Sequence, residues 1–264
     1  MPTTTINGFE LHYEDRGNGS VPLVLLHGFP LDGTIWAAQV DALAADVRVI
    51  APDLRGFGRS TSVTPFTLDT LADDVHALLR HLGIDRAVVA GLSMGGYVLQ
   101  AYARLFPQTL AGVAFVDTKA DADTAEGKAG RNKMIDQAGK EGPRAVAAAM
   151  LPKMLAPARL KSDAALVHRV TAMMEACPAL TIKHACAAMR DRPDANALLE
   201  RLNVPAAVIV GDADAIIPVT LAEAMAGKLP RGSLHVIKGA GHLAPIEAPE
   251  PVTAALLELV ARVH

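Results

Sequence analysis

Several things are scarce in this chain, and each scarcity narrows what it can be. Two cysteines, Cys177 and Cys186, stand among 264 residues. That is too few for a disulfide framework. Set in an alanine-rich, helix-like stretch, they read as reduced, partly buried thiols of a cytoplasmic protein. No glycine turn presents either one, so neither reads as a nucleophile. Aromatics make up 4% of the residues, with a single tryptophan, so an aromatic-walled ligand groove is not expected. No apolar run approaches the roughly 20 residues that cross a bilayer. Met1 to Glu10 lack the positive start and apolar stretch of a signal peptide, and no membrane partner is expected. Charge of neither sign dominates: 25 Lys and Arg against 28 Asp and Glu leave a net −3. Without a basic run, a nucleic-acid surface is excluded. What is abundant is apolar: 51% of the chain, ample for one sizeable core carrying an insertion.

The apolar residues are patterned. Thr3–Ile6 and Phe9–Glu14 flank Asn7-Gly8, a hairpin signal. Short apolar runs follow at Pro22–Leu26, Val47–Ala51, Ala87–Ala90, Leu110–Val116, Ala206–Val210 and Leu234–Ile237. Continuous runs of this kind suit strands buried on both faces. Helical patterns lie between them, at Ile35–Ala44, Leu68–Leu82, Tyr97–Leu105, near Leu221–Lys228 and from Glu250. The alternation predicts an α/β fold, a mostly parallel sheet with helices on both faces. It breaks after Asp117. From there to about Arg201 no strand is evident, and prolines 143, 152, 157, 178 and 193 should cut the segment into short helices. The expected division is a discontinuous core, 1–119 and 202–264, with a helical lid at 120–201.

Parallel strands carry their C-terminal ends to one edge, and ligands bind beyond it. The loops expected there hold His27, Asp53, Ser93, Asp117, Asp214 and His242. Ser93 stands out. Gly91-x-Ser93-x-Gly95 sits between a strand and a helix, where a sharp turn thrusts the hydroxyl out above the sheet edge. Only residues without side chains fit two places before and after it. The helix N-terminus beneath favours negative charge on a bound carbonyl oxygen.

The motifs His27-Gly28-Phe29-Pro30, Asp53-x-Arg55-Gly56-x-Gly58-x-Ser60, Gly91-x-Ser93-x-Gly95, Gly211-x-x-Asp214-x-x-x-Pro218 and Gly239-x-Gly241-His242 come in order. Together they resemble the α/β-hydrolase fold family over nearly all of the chain outside the insertion, and imply its eight-stranded sheet. Phe29 and Met94 are most similar to the branch of small esterases, lactonases and cofactor-free haloperoxidase-like perhydrolases. The resemblance implies a serine hydrolase acting on a small-molecule ester or lactone, with no metal or organic cofactor. Perhydrolysis or carbon–carbon bond hydrolysis on the same residues, and a non-enzymatic ligand receptor on the same scaffold, are the alternatives. Haloalkane dehalogenases and epoxide hydrolases carry Asp where Ser93 stands.

On this resemblance Ser93 is the nucleophile and His242, on its glycine-flanked loop, the general base and then acid. Asp214 is the expected acid behind His242, with Asp212 and Asp117 as other positions. The oxyanion hole is expected from the backbone N–H groups of Phe29 and Met94. The pocket is expected from Phe29, Trp36, Met94, Met134, Met150 and Met154, the adaptable methionines of the insertion forming a roof. His27 braces the oxyanion loop. Asp53–Ser60 lacks the spacing of a phosphate loop and reads as structural. The remaining histidines, at 12, 76, 81, 168, 184, 235 and 264, lie in expected strands, helices or the tail and show no metal-ligand spacing.

Overall fold

Asn7 and Gly8 both take positive φ, 47° and 81°, as a two-residue type I′ turn requires. They fold β1 (Thr3–Ile6) back on β2 (Phe9–Arg16), pairing Ile6 with Phe9. In the computed structural model, which describes residues 2–61 and 64–263, this hairpin ends an eight-stranded sheet. The other strands are β3 (Leu23–Leu26), β4 (Val49–Pro52), β5 (Ala87–Leu92), β6 (Leu110–Val116), β7 (Ala206–Gly211) and β8 (Gly232–Ile237). Their order is β1-β2-β4-β3-β5-β6-β7-β8. Both contacts of β2 are antiparallel, and from β4 to β8 every contact is parallel. His264 lies outside the described residues.

Three helices precede β6 or its connection: α1 (Ala37–Leu43), α2 (Leu68–His81) and α3 (Met94–Leu105). Six occupy the stretch between β6 and β7: α4 (Ala125–Lys140), α5 (Pro143–Met154), α6 (Pro157–Ser162), α7 (Ala164–Ala176), α8 (Ala179–Arg190) and α9 (Asn196–Leu199). The last three are α10 (Val219–Lys228), α11 (Ala244–Glu247) and α12 (Pro249–Ala261). Successive residues of β3 face opposite sides. Leu23 and Leu25 join an apolar layer with Val40 and Leu43 of α1 and Leu256 and Leu259 of α12. Val24 and Leu26 join another with Leu71 and Leu78 of α2, Val98 and Leu99 of α3 and Met225 of α10. Both layers take residues from the helices between β6 and β7: Val146 in one, Met154 and Met174 in the other.

The prolines divide the inserted helices with one exception. Pro143 and Pro157 open α5 and α6, and Pro178 caps α8, positions where the missing N–H costs nothing. Pro152 does not cut the chain; α5 continues through it to Met154. In the last turn of a helix, proline removes a single backbone bond, to the carbonyl four residues earlier, without a following helix to break.

Candidate active site

Ser93 lies between the last residue of β5 and the first of α3, with φ 51° and ψ −110°. A non-glycine residue in that region is strained and persists only where its surroundings fix it. Here the backbone does so. A Cβ on Gly91 would lie 2.2 Å from the carbonyl oxygen of Gly95, and one on Gly95 would lie 2.4 Å from that of Leu26. The chain crosses itself there at distances that admit only glycine. The N–H of Ser93 donates to Val116 at 2.9 Å, and Thr118 Oγ1 donates to the Ser93 carbonyl at 2.8 Å.

The half-buried hydroxyl meets an imidazole. Ser93 Oγ is 2.8 Å from His242 Nε2, and His242 Nδ1 is 2.8 Å from Asp214 Oδ2. His242 reaches this point from the loop after β8. Asp214 comes from the loop after β7, and its Oδ1 accepts the N–H groups of Ile216 and Ile217 at 2.7 and 3.0 Å. With Asp214 ionised, Nδ1 carries a proton and Nε2 is free to accept one from the serine.

The three aspartates at this edge have separate tasks. Asp212 is exposed, and its carboxylate accepts the Gly239 N–H at 2.7 Å. Asp117, also at positive φ, is fully buried. Its two oxygens take Gly211 N–H at 2.8 Å and Ala244 N–H at 3.2 Å, tying the Asp214 loop to the His242 loop. Burial first, and the Asp214 charge second, hold its pKa well above the ordinary carboxylate range. Only Asp214 touches His242.

Among the described residues, no protein acceptor takes the backbone N–H of Phe29 or of Met94. Met94 opens α3, where N–H groups have no intrahelical partner. Phe29 precedes a cis peptide bond to Pro30. The loop holding it is braced by His27, which is fully buried. Leu54 N–H donates to His27 Nε2 at 3.0 Å, so Nδ1 carries the proton and donates to the Gly28 carbonyl at 2.8 Å. Burial lowers the pKa of this imidazole and keeps it neutral.

A sequence model described as alpha/beta hydrolase fold matches residues 21–249. The chain belongs to the α/β-hydrolase fold family. The structure of a thermophilic esterase from Thermogutta terrifontis superposes with a TM-score of 0.94 at 41% identity, over 99% of this chain and 97% of that one. The enol-lactonase from Burkholderia xenovorans LB400 superposes with a TM-score of 0.91 at 28% identity, over 98% of this chain and 100% of that one. The dihydrolipoyllysine-residue acetyltransferase component of an acetoin cleaving system from Pseudomonas putida is 35% identical over 257 residues, 93% of this chain. The chain spans less than two thirds of that relative, 65% of its length, and its match to a second curated relative is confined to 94 residues, 32% of that protein.

The residues expected around a pocket of this α/β-hydrolase take the following places. Trp36, Met94 and Met154 are buried in the two apolar layers. Met134 and Met150 are half-buried against them, and Phe29 packs edge-on against Phe57. A cavity of about 430 Å³ lies elsewhere, lined by His12, Glu14, Arg16, Asp32, Asp41 and Arg59 among others and by none of Ser93, Asp214 or His242. The Asp53–Ser60 loop closes on its own carboxylate, which accepts Gly33 N–H and Arg59 N–H. Among the described residues no group of three His, Cys, Asp or Glu side chains could hold a metal ion. Among the described residues no helix is long and apolar enough to cross a membrane. One residue at the site escaped the sequence reading: Glu247, fully buried, five residues after His242. Its only sequence signal is an acidic side chain between apolar residues that the fold buries.

Proposed function

We propose that the protein is a serine hydrolase that cleaves carboxylic esters or lactones of small to medium apolar substrates, with Ser93, His242 and Asp214 as its catalytic residues. The observation that carries this is the unbroken chain of two 2.8 Å contacts from Ser93 Oγ through His242 to Asp214. Ser93 Oγ attacks the substrate carbonyl carbon as its proton passes to His242 Nε2. The new imidazolium is stabilised by Asp214. The oxyanion is received by the unpaired N–H groups of Phe29 and Met94, each worth roughly 3–4 kcal/mol in the transition state. His242 then gives that proton to the leaving oxygen as its bond to the acyl carbon breaks, so an alcohol group is released and an acyl-enzyme remains. Water, deprotonated by His242, attacks the acyl carbon, and the acid departs as Ser93 recovers its proton. In a lactone the leaving group stays attached, so one ring-opened hydroxy acid is released.

The helices between β6 and β7 follow Asp117 at the sheet edge that carries these residues, and we assign them the part of a lid. Buried, unpaired Cys177 and Cys186 fit a reducing, cytoplasmic setting. The esterase and enol-lactonase relatives support the ester and lactone chemistry. The test is turnover of p-nitrophenyl esters of increasing acyl length and of simple lactones, by the parent and Ser93→Ala. The expected outcome is multiple turnover by the parent and a loss of up to ~10⁶ in kcat on removing the hydroxyl. Turnover retained by Ser93→Ala, or absent from the parent, overturns the reading.

A further inference from the structure

Glu247 closes α11, and its carboxylate touches two separate parts of the chain. Oε1 accepts Gly241 N–H at 2.9 Å and Leu243 N–H at 3.3 Å, the residues on either side of His242. Oε2 accepts Ala156 N–H at 2.8 Å, at the junction between α5 and α6. Its backbone carbonyl takes Arg159 Nη2 at 2.7 Å, from α6. The two parts press directly together: a Cβ on Gly241 would lie 2.3 Å from Ala156 N and 2.7 Å from Leu155 C. A buried carboxylate costs free energy unless it is fully hydrogen-bonded, and this one is bonded only while both parts are in place.

We propose that Glu247 is a positioning residue that makes the seating of the inserted helices and the alignment of His242 on Ser93 a single event. The proposal rests on the serine-hydrolase reading for its consequence in turnover, but the coupling itself is a property of the fold. Withdrawing Ala156 leaves Oε2 bare in an apolar site, and the carboxylate swings to recover a donor. The N–H groups beside His242 then lose their acceptor, and Nε2 leaves Ser93. A displacement of about 1 Å at a reacting group can cost on the order of 10²-fold in rate.

Two variants separate coupling from simple support. Glu247→Gln is isosteric but keeps one acceptor oxygen, so it serves either His242's neighbours or Ala156. Ala156→Pro replaces the N–H on the insertion side with a ring carbon, so Oε2 loses that donor and must draw back from it. Ala156 has φ −56° and Leu155 has φ −120° and ψ 152°, both open to proline at 156. Both variants should lower kcat by about 10- to 10²-fold with KM little changed. In both, amide hydrogen exchange of 154–159 and of 240–247 should quicken together, a readout that needs no substrate. If Ala156→Pro keeps the parent kcat while Glu247→Gln loses it, Glu247 serves the His242 loop alone and the coupling is overturned. It is equally overturned if exchange quickens in one segment only, or if both variants lower Tm and leave kcat unchanged. A parent inactive on esters and lactones would sink the proposed function and leave the exchange result standing.

Discussion

Ser93 and His242 face each other across 2.8 Å and are held by opposite means. The turn at Ser93 is shaped by what is missing. Gly91 and Gly95 let backbone pass backbone, and among the described residues no charged side chain bonds to the turn. Around the ring, the loop at His242 is shaped by three carboxylates. Asp214 holds the ring, Glu247 holds the N–H groups on either side of it, and Asp117 holds the next one, at Ala244. A steric arrangement fails by clash and does not respond to pH. An electrostatic one fails by degrees, as each acceptor is neutralised or removed. The Ser93 turn is therefore the rigid half of the site, and the His242 loop is the half that charge and pH can move.

The largest effect that would sharpen this contrast belongs to Asp214. Asp214→Asn should leave the fold and KM nearly unchanged and lower kcat by about 10⁴-fold, since an amide favours the wrong imidazole tautomer. Asp117 cannot stand in, because both of its oxygens are engaged with Gly211 and Ala244. Steady-state kinetics on a p-nitrophenyl ester measure this. A fall of less than 10-fold would mean that another acid serves His242. On the steric side, Gly95→Ala places a methyl group 2.4 Å from the carbonyl oxygen of Leu26, which is backbone and cannot rotate away. It should cost at least about 1–3 kcal/mol of stability, read by denaturant unfolding, and by the same amount at every pH where the parent is folded.

The contrast also explains what the sequence made legible. The Ser93 turn is visible because its requirements are local: three residues spaced by two, between a strand and a helix. The parallel sheet is visible because strands buried on both faces are written as unbroken apolar runs, such as Leu23–Leu26 and Leu110–Val116. The support of His242 is not local. Its carboxylates come from positions 117, 214 and 247, after three different strands, and only the family resemblance of Gly211-x-x-Asp214 points to the acid that meets the ring. Glu247 was invisible for the same reason: its partners at 156 and 241–243 are joined only by the fold. The pocket was illegible too, because a methionine that packs and one that meets substrate look alike in sequence.

The pH sensitivity assigned to the His242 side can be tested without substrate. The pKa of Asp117 is raised in the folded protein, chiefly by burial. Its proton is held more tightly folded than unfolded, so its contribution to stability is full below the ordinary carboxylate range. That contribution is lost as pH rises from there through the folded value. Asp117→Asn lacks this titration. Its carbonyl can still accept Gly211 N–H, but its amide meets Ala244 N–H without an acceptor, costing about 1 kcal/mol or more. Unfolding free energy against pH should show the parent ahead at low pH, with its lead shrinking as pH rises. A constant gap would mean that Asp117 ionises as easily folded as unfolded.

The smallest effect is expected at Asp212, two residues before Asp214 in the same loop. The two aspartates flank Ala213 in one loop, yet one is exposed and the other buried. Asp212 holds Gly239 N–H at the start of the loop that ends in His242, so it too supports the imidazole, three residues removed. Between that tie and the ring stand Gly241 on Glu247 and Ala213 N–H bonded to the Ala240 carbonyl. These fix the loop before slack at Gly239 can reach the imidazole. An exposed bond of this kind is worth about 0.5–1.5 kcal/mol. Asp212→Ala should cost no more than that in stability and leave kcat within about 2-fold, since a tenfold change would need about 1.4 kcal/mol at the transition state. Paired with Asp214→Asn in one set of assays, it separates an acid that meets the ring from one that only anchors its loop. A larger fall in kcat would show that the His242 loop is held as a single unit from Gly239 onward, with its carboxylates acting together.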